Sequence, residues 1–158
     1  MQKTIKKDMA FGIPGTHGNG QPYFADPYTA GDKVTMGGVA ALKDGMAVPY
    51  SESATTAIGI FVNPNEHIKM ELPSDSVSLD VAKGSNVAVA KKGAWFVPVP
   101  SDATENAKWV VGAKLVYSAM TYALAVGTTN AVAEILKVDN GELVSTAYVG
   151  GVALIRFL

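Results

Sequence analysis

Residues 84–100 read GSNVAVAKKGAWFVPVP, and this stretch decides how the whole chain is interpreted. Alternation in its first half places Val87 and Val89 on one face of a β-strand. The Lys-Lys-Gly that follows predicts the three-residue turn of a β-hairpin, because glycine readily adopts a left-handed backbone. The second half, AWFVPVP, is apolar at consecutive positions, whereas a half-buried strand alternates.

The second strand of this predicted hairpin therefore has two apolar faces. Trp95 and Phe96 point in opposite directions, so only one of them can pack into the strand's own core. Exposing the other to water would forfeit about 1.5–3 kcal/mol per large side chain. We expect an N-terminal arm or a neighbouring subunit to cover Phe96. Pro98 and Pro100 cannot donate ladder hydrogen bonds, which predicts a strand at a sheet edge.

Short apolar runs bounded by Gly, Pro, Asn or Asp recur from residue 30 onward. This pattern predicts an all-β fold, a small β-barrel or a jelly-roll-like β-sandwich. One helical turn is expected after Asp102, with Glu105 three residues later. The predicted strands are residues 33–36, 39–42, 46–49, 56–62, 68–72, 77–81, 86–90, 94–99, 113–118, 122–126, 131–138, 143–149 and 152–157.

Residues 1–29 differ from the rest and predict an extended N-terminal arm before a single β domain at residues 30–158. Glycine and proline interrupt every helical or strand period there. Disordered tails usually lack aromatic residues, so an aromatic arm is expected to lie on a protein surface. Its candidate contact residues are Phe11, Tyr23, Phe24 and Tyr28.

Composition argues against nucleic acid and membranes as partners. The net charge is −1, and all of the 13 basic residues except Arg156 are lysine. Arginine is preferred for bidentate recognition of phosphate and guanine, so direct nucleic-acid binding is not expected. No segment reads as a secretory signal or as a membrane span. Charged residues make up only 17% of the chain, which suggests that another protein covers much of its surface.

No catalytic, metal-binding or cofactor-binding site is predicted. The chain has no cysteine, and His17 and His67 are its only histidines. They lie too far apart in sequence for a metal-ligand motif. The sequence contains no G-x-S-x-G nucleophile motif. The glycines between residues 12 and 20 do not follow the phosphate-loop pattern.

The end of the chain is also unusual, because residues 147–158 form an apolar run without a polar tail. We expect this segment to be paired inside a sheet. Arg156 is a candidate ion-pair partner, either within the fold or across an interface.

Together these features resemble the structural cement, or decoration, proteins of tailed-phage heads. The likeness lies in element order and glycine placement along most of the chain. The segments that carry it are Ile5 with AFGIPG at residues 10–15, AGDKV at 30–34, AIGI at 57–60, GSNVAV at 84–89, KGAW at 92–95, GAKLVY at 112–117 and the closing apolar strand.

The resemblance implies a structural protein, not an enzyme, that binds the outer surface of the capsid. It would bridge major capsid protein subunits, stabilise the expanded shell and self-associate as a dimer or trimer. Its expected interface residues, toward itself or the capsid, are Phe11, Tyr23, Phe24, Tyr28, Phe96 and Arg156. The alternative is a small-ligand or carbohydrate-binding domain of a tail or fibre. Trp95, Trp109 and Tyr117 would then stack on sugars, although we expect both tryptophans to be core residues.

Overall fold

Two five-stranded antiparallel sheets form the body of the protein in the computed structural model, which describes residues 12, 14–18, 23–62 and 80–158. The first sheet has the spatial order β1 (Phe24–Thr29), β7 (Asn86–Lys92), β5 (Ala57–Val62), β3 (Val39–Lys43) and β4 (Met46–Pro49). The second has the order β10 (Ala123–Val126), β9 (Lys114–Ser118), β11 (Ala133–Asp139), β14 (Val152–Phe157) and β8 (Ala94–Pro98).

Two short ribbons and one helical turn complete the described structure. The ribbons pair β2 (Val34–Thr35) with β6 (Asp80–Val81), and β12 (Glu142–Val144) with β13 (Ala147–Val149). The turn α1 (Ala103–Asn106) begins after Asp102, whose side chain accepts hydrogen bonds from the backbone of Thr104 and Glu105. This confirms the predicted helical turn and its cap.

The main core lies between the two sheets. Trp95, Leu115 and Ile135 of the second sheet belong to the same buried cluster as Ile60 and Val62 of the first. No strand pair in the described ranges joins the two sheets, so they form a sandwich and do not close into a barrel. The predicted all-β class is confirmed.

The first sheet is covered on both faces. Ile60, Phe61 and Val62 are consecutive and all buried. Ile60 and Val62 pack in the main core, whereas Phe61 belongs to a second cluster with Met36 and Val89. Consecutive apolar residues in β5 therefore reflect burial on both faces of a strand inside the sheet.

The predicted hairpin at residues 84–100 is wrong, although both of its strands exist. β7 lies in the first sheet and β8 in the second, so the chain crosses between sheets at Gly93, where φ is 98°. Both edges of β7 are already paired, one with β1 and the other with β5. No edge is left for β8, which pairs with β14 instead.

Most other predicted strands are found within a residue or two of their expected positions. The segment 143–149 is not one strand but the hairpin β12–β13, with a left-handed Ser145 (φ 60°) in its turn. Residues 24–29, which the sequence assigned to the arm, form β1 at the edge of the first sheet. The strand predicted at 68–72 and most of that at 77–81 lie outside the described residues, as does Phe11.

Candidate interaction surfaces

Residues 14–18 of the arm lie along β8 and pair with its free edge. Gly15 N donates to Phe96 O at 2.7 Å, Phe96 N donates to Thr16 O at 2.9 Å, and Gly18 N donates to Ala94 O at 2.7 Å. β8 is the last strand of this sheet, as its prolines predicted. The arm therefore satisfies a row of backbone groups that an open edge would leave unpaired.

Glycine in the arm permits close contact with side chains on the outward face of β8 and β14. A Cβ atom at position 12 would collide with the Phe96 ring, and one at position 18 would collide with the Leu154 side chain. Gly12 therefore lies directly against Phe96, whose side chain is half-buried. An arm residue thus contacts the second apolar face of this strand. The role of Phe96 in an interface with another chain stays a prediction.

An aromatic cluster joins His17 of the arm, Tyr23 just before β1 and Trp95 on β8. The His17 ring lies 4.5 Å from that of Tyr23 and 5.1 Å from that of Trp95, and the Tyr23 and Trp95 rings are 5.3 Å apart, centroid to centroid. Trp95 is fully buried and donates its Nε1 proton to Lys92 O at 2.9 Å. Tyr23 is 50% exposed and Phe24 is 53% exposed. These two exposed aromatic residues lie beside the Lys92 end of β7, and together we call them the arm patch.

The Tyr28 side chain contacts Lys91 within the same protein. Lys91 Nζ contacts Asp26 Oδ2 at 2.6 Å and the Tyr28 hydroxyl at 3.3 Å, and it lies 5.6 Å from the centre of the Tyr28 ring. The hydrogen bond to Asp26, followed by that to Tyr28, raises the pKa of Lys91. The arrangement ties β1 to β7 across the edge of the first sheet.

A row of three charged side chains crosses the outer face of the second sheet. Glu134 on β11 stands opposite Lys114 on β9 and Arg156 on β14. Its carboxylate accepts from Lys114 Nζ and from the Arg156 guanidinium, each at 2.7 Å. The hydrogen bond from Lys114, with a smaller contribution from Arg156, lowers the pKa of Glu134. Arg156 therefore has an ion-pair partner within the fold, one of the two possibilities that the sequence left open.

The structure does not gather the predicted interface residues at one place. Phe96 and Arg156 lie diagonally on neighbouring strands of the second sheet, since Ala94 is opposite Arg156 and Phe96 is opposite Leu154. Tyr23 and Phe24 lie at the start of β1, where Phe24 is opposite Lys92 at the end of β7 and the Tyr23 ring contacts Trp95 on β8. Phe11 is outside the described residues.

Sequence reasoning missed a second group of exposed apolar residues, beyond the other end of β8. Its five aliphatic side chains are between 55% and 65% exposed. They lie on the β12–β13 hairpin and on the turn after Trp109. Asn140, just before β12, links these two segments by donating to Trp109 O at 3.3 Å. The available signal in the sequence was two pairs of consecutive apolar residues beside turn residues, Val110–Val111 before Gly112 and Leu143–Val144 before Ser145. We call this group of exposed residues the end patch; it consists of Val110, Val111, Leu143, Val144 and Val149.

Hydrogen bonds fix the end patch to the sandwich. Tyr148 N on β13 donates to Ser101 O at 2.8 Å. Asn106, only 2% exposed, donates to Pro100 O and Asn140 O, each at 2.9 Å. The hairpin is therefore held beyond the Pro98 end of β8.

The tryptophans offer no surface on which a sugar could stack. Trp95 is 0% and Trp109 is 1% exposed, and both belong to the main core, as expected. Tyr117 packs against the same core, and burial raises its pKa to about 12. Stacking of sugars on the two tryptophans, the basis of the carbohydrate-binding alternative, is therefore ruled out by their burial.

Two other kinds of feature, a metal-ligand cluster and a membrane-spanning helix, are absent from the described residues. Within these ranges no three His, Asp or Glu side chains are grouped closely enough to hold a metal ion. None of the helices there has the length and hydropathy that crossing a membrane requires.

Comparison with known proteins identifies one family. The family model for "structural cement protein (E217 gp24/Pam3 gp6)" matches residues 1–158, the whole chain. Among curated proteins, none matches the chain. The family resemblance inferred from element order and glycine placement is confirmed.

Proposed function

This chain belongs to the phage structural cement protein family, and we propose that it binds the outer surface of the phage head and bridges major capsid protein subunits. The family match over the whole chain carries the proposal. The role requires no catalysis, no cofactor, no direct contact with nucleic acid and no membrane. The protein would act as a homo-oligomer, a dimer or a trimer, on the expanded shell.

The placement of the arm patch and the end patch supports bridging. The arm patch lies near Lys92, before β8, and the end patch is fixed through Ser101, after β8. An extended segment from residue 94 to residue 101 spans roughly 20 Å. Contacts at both ends of a rigid sandwich allow one molecule to touch two capsid subunits.

Many weak contacts can stabilise a shell under internal pressure. A phage head loaded with DNA is strained at the seams between its subunits. Each cement molecule adds modest interface area across a seam, and many copies act together because binding at one end raises the effective concentration at the other. The sparse surface charge and the two exposed apolar patches suit such contacts.

Co-sedimentation with purified capsid shells tests this proposal. We expect the protein to pellet with expanded shells and to remain in the supernatant with unexpanded ones. The double variant Leu143→Ser and Val149→Ser removes exposed apolar contact from the end patch, and Phe24→Ser does so at the arm patch. Met120→Ser is the matched control, because Met120 is 92% exposed on the loop between β9 and β10.

Bridging predicts that either patch variant binds expanded shells more weakly and protects them less against heat, while the control binds like wild type. Variants that fold but attach and protect normally would overturn the assignment of the patches. A wild-type protein that never associates with shells would overturn the proposed function itself.

A further inference from the structure

Asn140 and Gly141 form an Asn-Gly pair, the dipeptide most prone to spontaneous deamidation. In that reaction the glycine backbone nitrogen loses its proton to hydroxide and attacks Cγ of the asparagine. The new C–N bond closes a five-membered succinimide, and ammonia leaves. Water then opens the ring at either carbonyl, which yields aspartate or isoaspartate. The only co-reactants are hydroxide and water from the solvent.

The turn between β11 and β12 requires glycine at position 141. Its φ is 83°, in the left-handed region, and a Cβ atom would collide with Val149 O and with the backbone of Gly151. Any side chain there would force the β12–β13 hairpin away from β14. The fold therefore keeps the dipeptide that reacts most readily, for a structural reason.

Both reacting groups are held by hydrogen bonds in the native structure. Gly141 N donates to Asp139 Oδ1 at 3.0 Å, so the proton that must leave is bound to a carboxylate. Asn140 Nδ2 donates to Asn106 Oδ1 at 3.0 Å, Asn106 O at 3.2 Å and Trp109 O at 3.3 Å. Rotation of the Asn140 amide toward Gly141 N requires these bonds to break.

We propose that Asn140 is a latent deamidation site, which the contacts with Asn106 and Asp139 keep unreactive in the native fold. Deamidation of Asn140 would irreversibly disrupt the hydrogen bonds that hold the end patch. The new carboxylate would face three oxygen acceptors where an amide now donates, and it cannot donate to any of them. Isoaspartate would also lengthen the backbone at a turn where Gly141 already contacts β13 and the chain before β14.

Peptide mapping by mass spectrometry tests the inference on the full chain. The protein is incubated in mildly alkaline buffer with and without urea, and aspartate and isoaspartate at position 140 are resolved over time. We expect Asn140 to deamidate more than about tenfold more slowly in the native protein than in urea, because reaction requires local opening. Equal rates in the two conditions would overturn the proposal.

Two variants separate the specific contacts from general burial. Asn106→Ala removes the acceptor side chain that faces Asn140, and Asp139→Ala removes the acceptor for Gly141 N. Each should raise the native rate at Asn140, and Asp139→Ala keeps the test valid if Asn106→Ala fails to fold. Glu142→Ala, an exposed neighbour, should leave the rate unchanged. Native rates that stay at the wild-type value in both variants would refute the protective role of these contacts.

Hydrogen exchange tests separately whether deamidation disturbs the end patch. Asn140→Asp mimics one product, and we expect faster hydrogen exchange at the Tyr148 amide, which bonds to Ser101 O. Exchange in β9 should not change. Unaltered exchange at Tyr148 would show that the end patch does not depend on the Asn140 amide.

Discussion

The pKa values of single side chains in this sandwich depend on the groups around them. Glu134 and Tyr117 both belong to the second sheet or its core, yet their pKa values move for different reasons. A cationic neighbour favours the charged carboxylate, whereas an apolar environment favours the neutral phenol. Each shift predicts its own pH dependence of stability.

Ionisation of the Tyr117 phenol should lower the stability of the fold at high pH. Its pKa is raised from 10.0 to about 12, so between these values the unfolded state has lost a proton that the folded state retains. The stability from this group is complete below pH 10 and is lost as pH rises through the folded pKa, by about 2–3 kcal/mol. Urea unfolding at increasing alkaline pH should show the loss in wild type and a smaller loss in Tyr117→Phe. A parallel decline in both proteins would contradict the burial argument.

For Glu134 we expect the opposite pH dependence, a loss of folding stability at low pH. Because its folded pKa lies below the ordinary 4.5, its contribution is present above that value and is lost as pH falls through the folded pKa. The stability difference between wild type and Glu134→Gln should therefore shrink on acidification. Glu142→Gln is the control, since Glu142 has no ion pair among the described residues. A difference that persists in strong acid would exclude the ion pairs as its source.

At the scale of strands and turns, local pattern predicted the elements but not their partners. Alternation and turn residues located β3, β4, β5, β8, β9 and β14 well. The apparent hairpin at Lys91–Gly93 failed because a glycine turn looks the same whether the chain stays in one sheet or crosses to another. Pairing depends on which edges are free, and β1 and β5 had already taken both edges of β7.

The surfaces were harder to predict than the strands. Phe96 was recognised because consecutive apolar residues leave a face to cover, and an arm residue does contact it. The end patch was missed because its position depends on Asn106 and Asn140, polar residues whose pairing joins distant segments. Such a contact leaves no periodic signal in the sequence.

The crossing at Gly93 predicts a specific sensitivity. Its φ of 98° is costly for any residue with a Cβ, so Gly93→Ala should lower the free energy of unfolding by about 1–2 kcal/mol. Lys92→Ala changes the adjacent exposed side chain and leaves the backbone carbonyl that accepts from Trp95 in place. Chemical denaturation of both variants measures the effect. Equal stabilities would mean that the crossing tolerates a Cβ.

The hydrogen bonds between residues 14–18 of the arm and β8 predict a local change in hydrogen exchange. Phe96 N donates to Thr16 O, so a chain that begins at residue 23 should exchange the Phe96 amide faster. The amides of β11 that pair with β14 serve as the internal control. Protection of Phe96 that survives the truncation would show that arm pairing does not provide it.

On the scale of the whole molecule, the arm has two parts with different expected roles. Residues 14–18 cover the β8 edge, while β1 completes the first sheet beside β7. The division of the chain at residue 29 stays a prediction, because an arm can also lie along a sheet as a strand. Two truncations, one removing residues 1–22 and the other residues 1–29, separate the two parts.

Removing residues 1–29 should destabilise the sandwich more than removing residues 1–22, because only the longer deletion takes away β1 and opens the buried apolar side chains of β7 to water. Each large side chain exposed costs about 1.5–3 kcal/mol. Urea unfolding measures the difference, and co-sedimentation with expanded shells is then run on whichever truncations fold. If the shorter deletion folds like wild type and binds shells more weakly, residues 1–22 contribute to attachment; unchanged binding would limit their role to covering β8. Equal stability of the two truncations would show that β1 is dispensable and that the β domain begins after it.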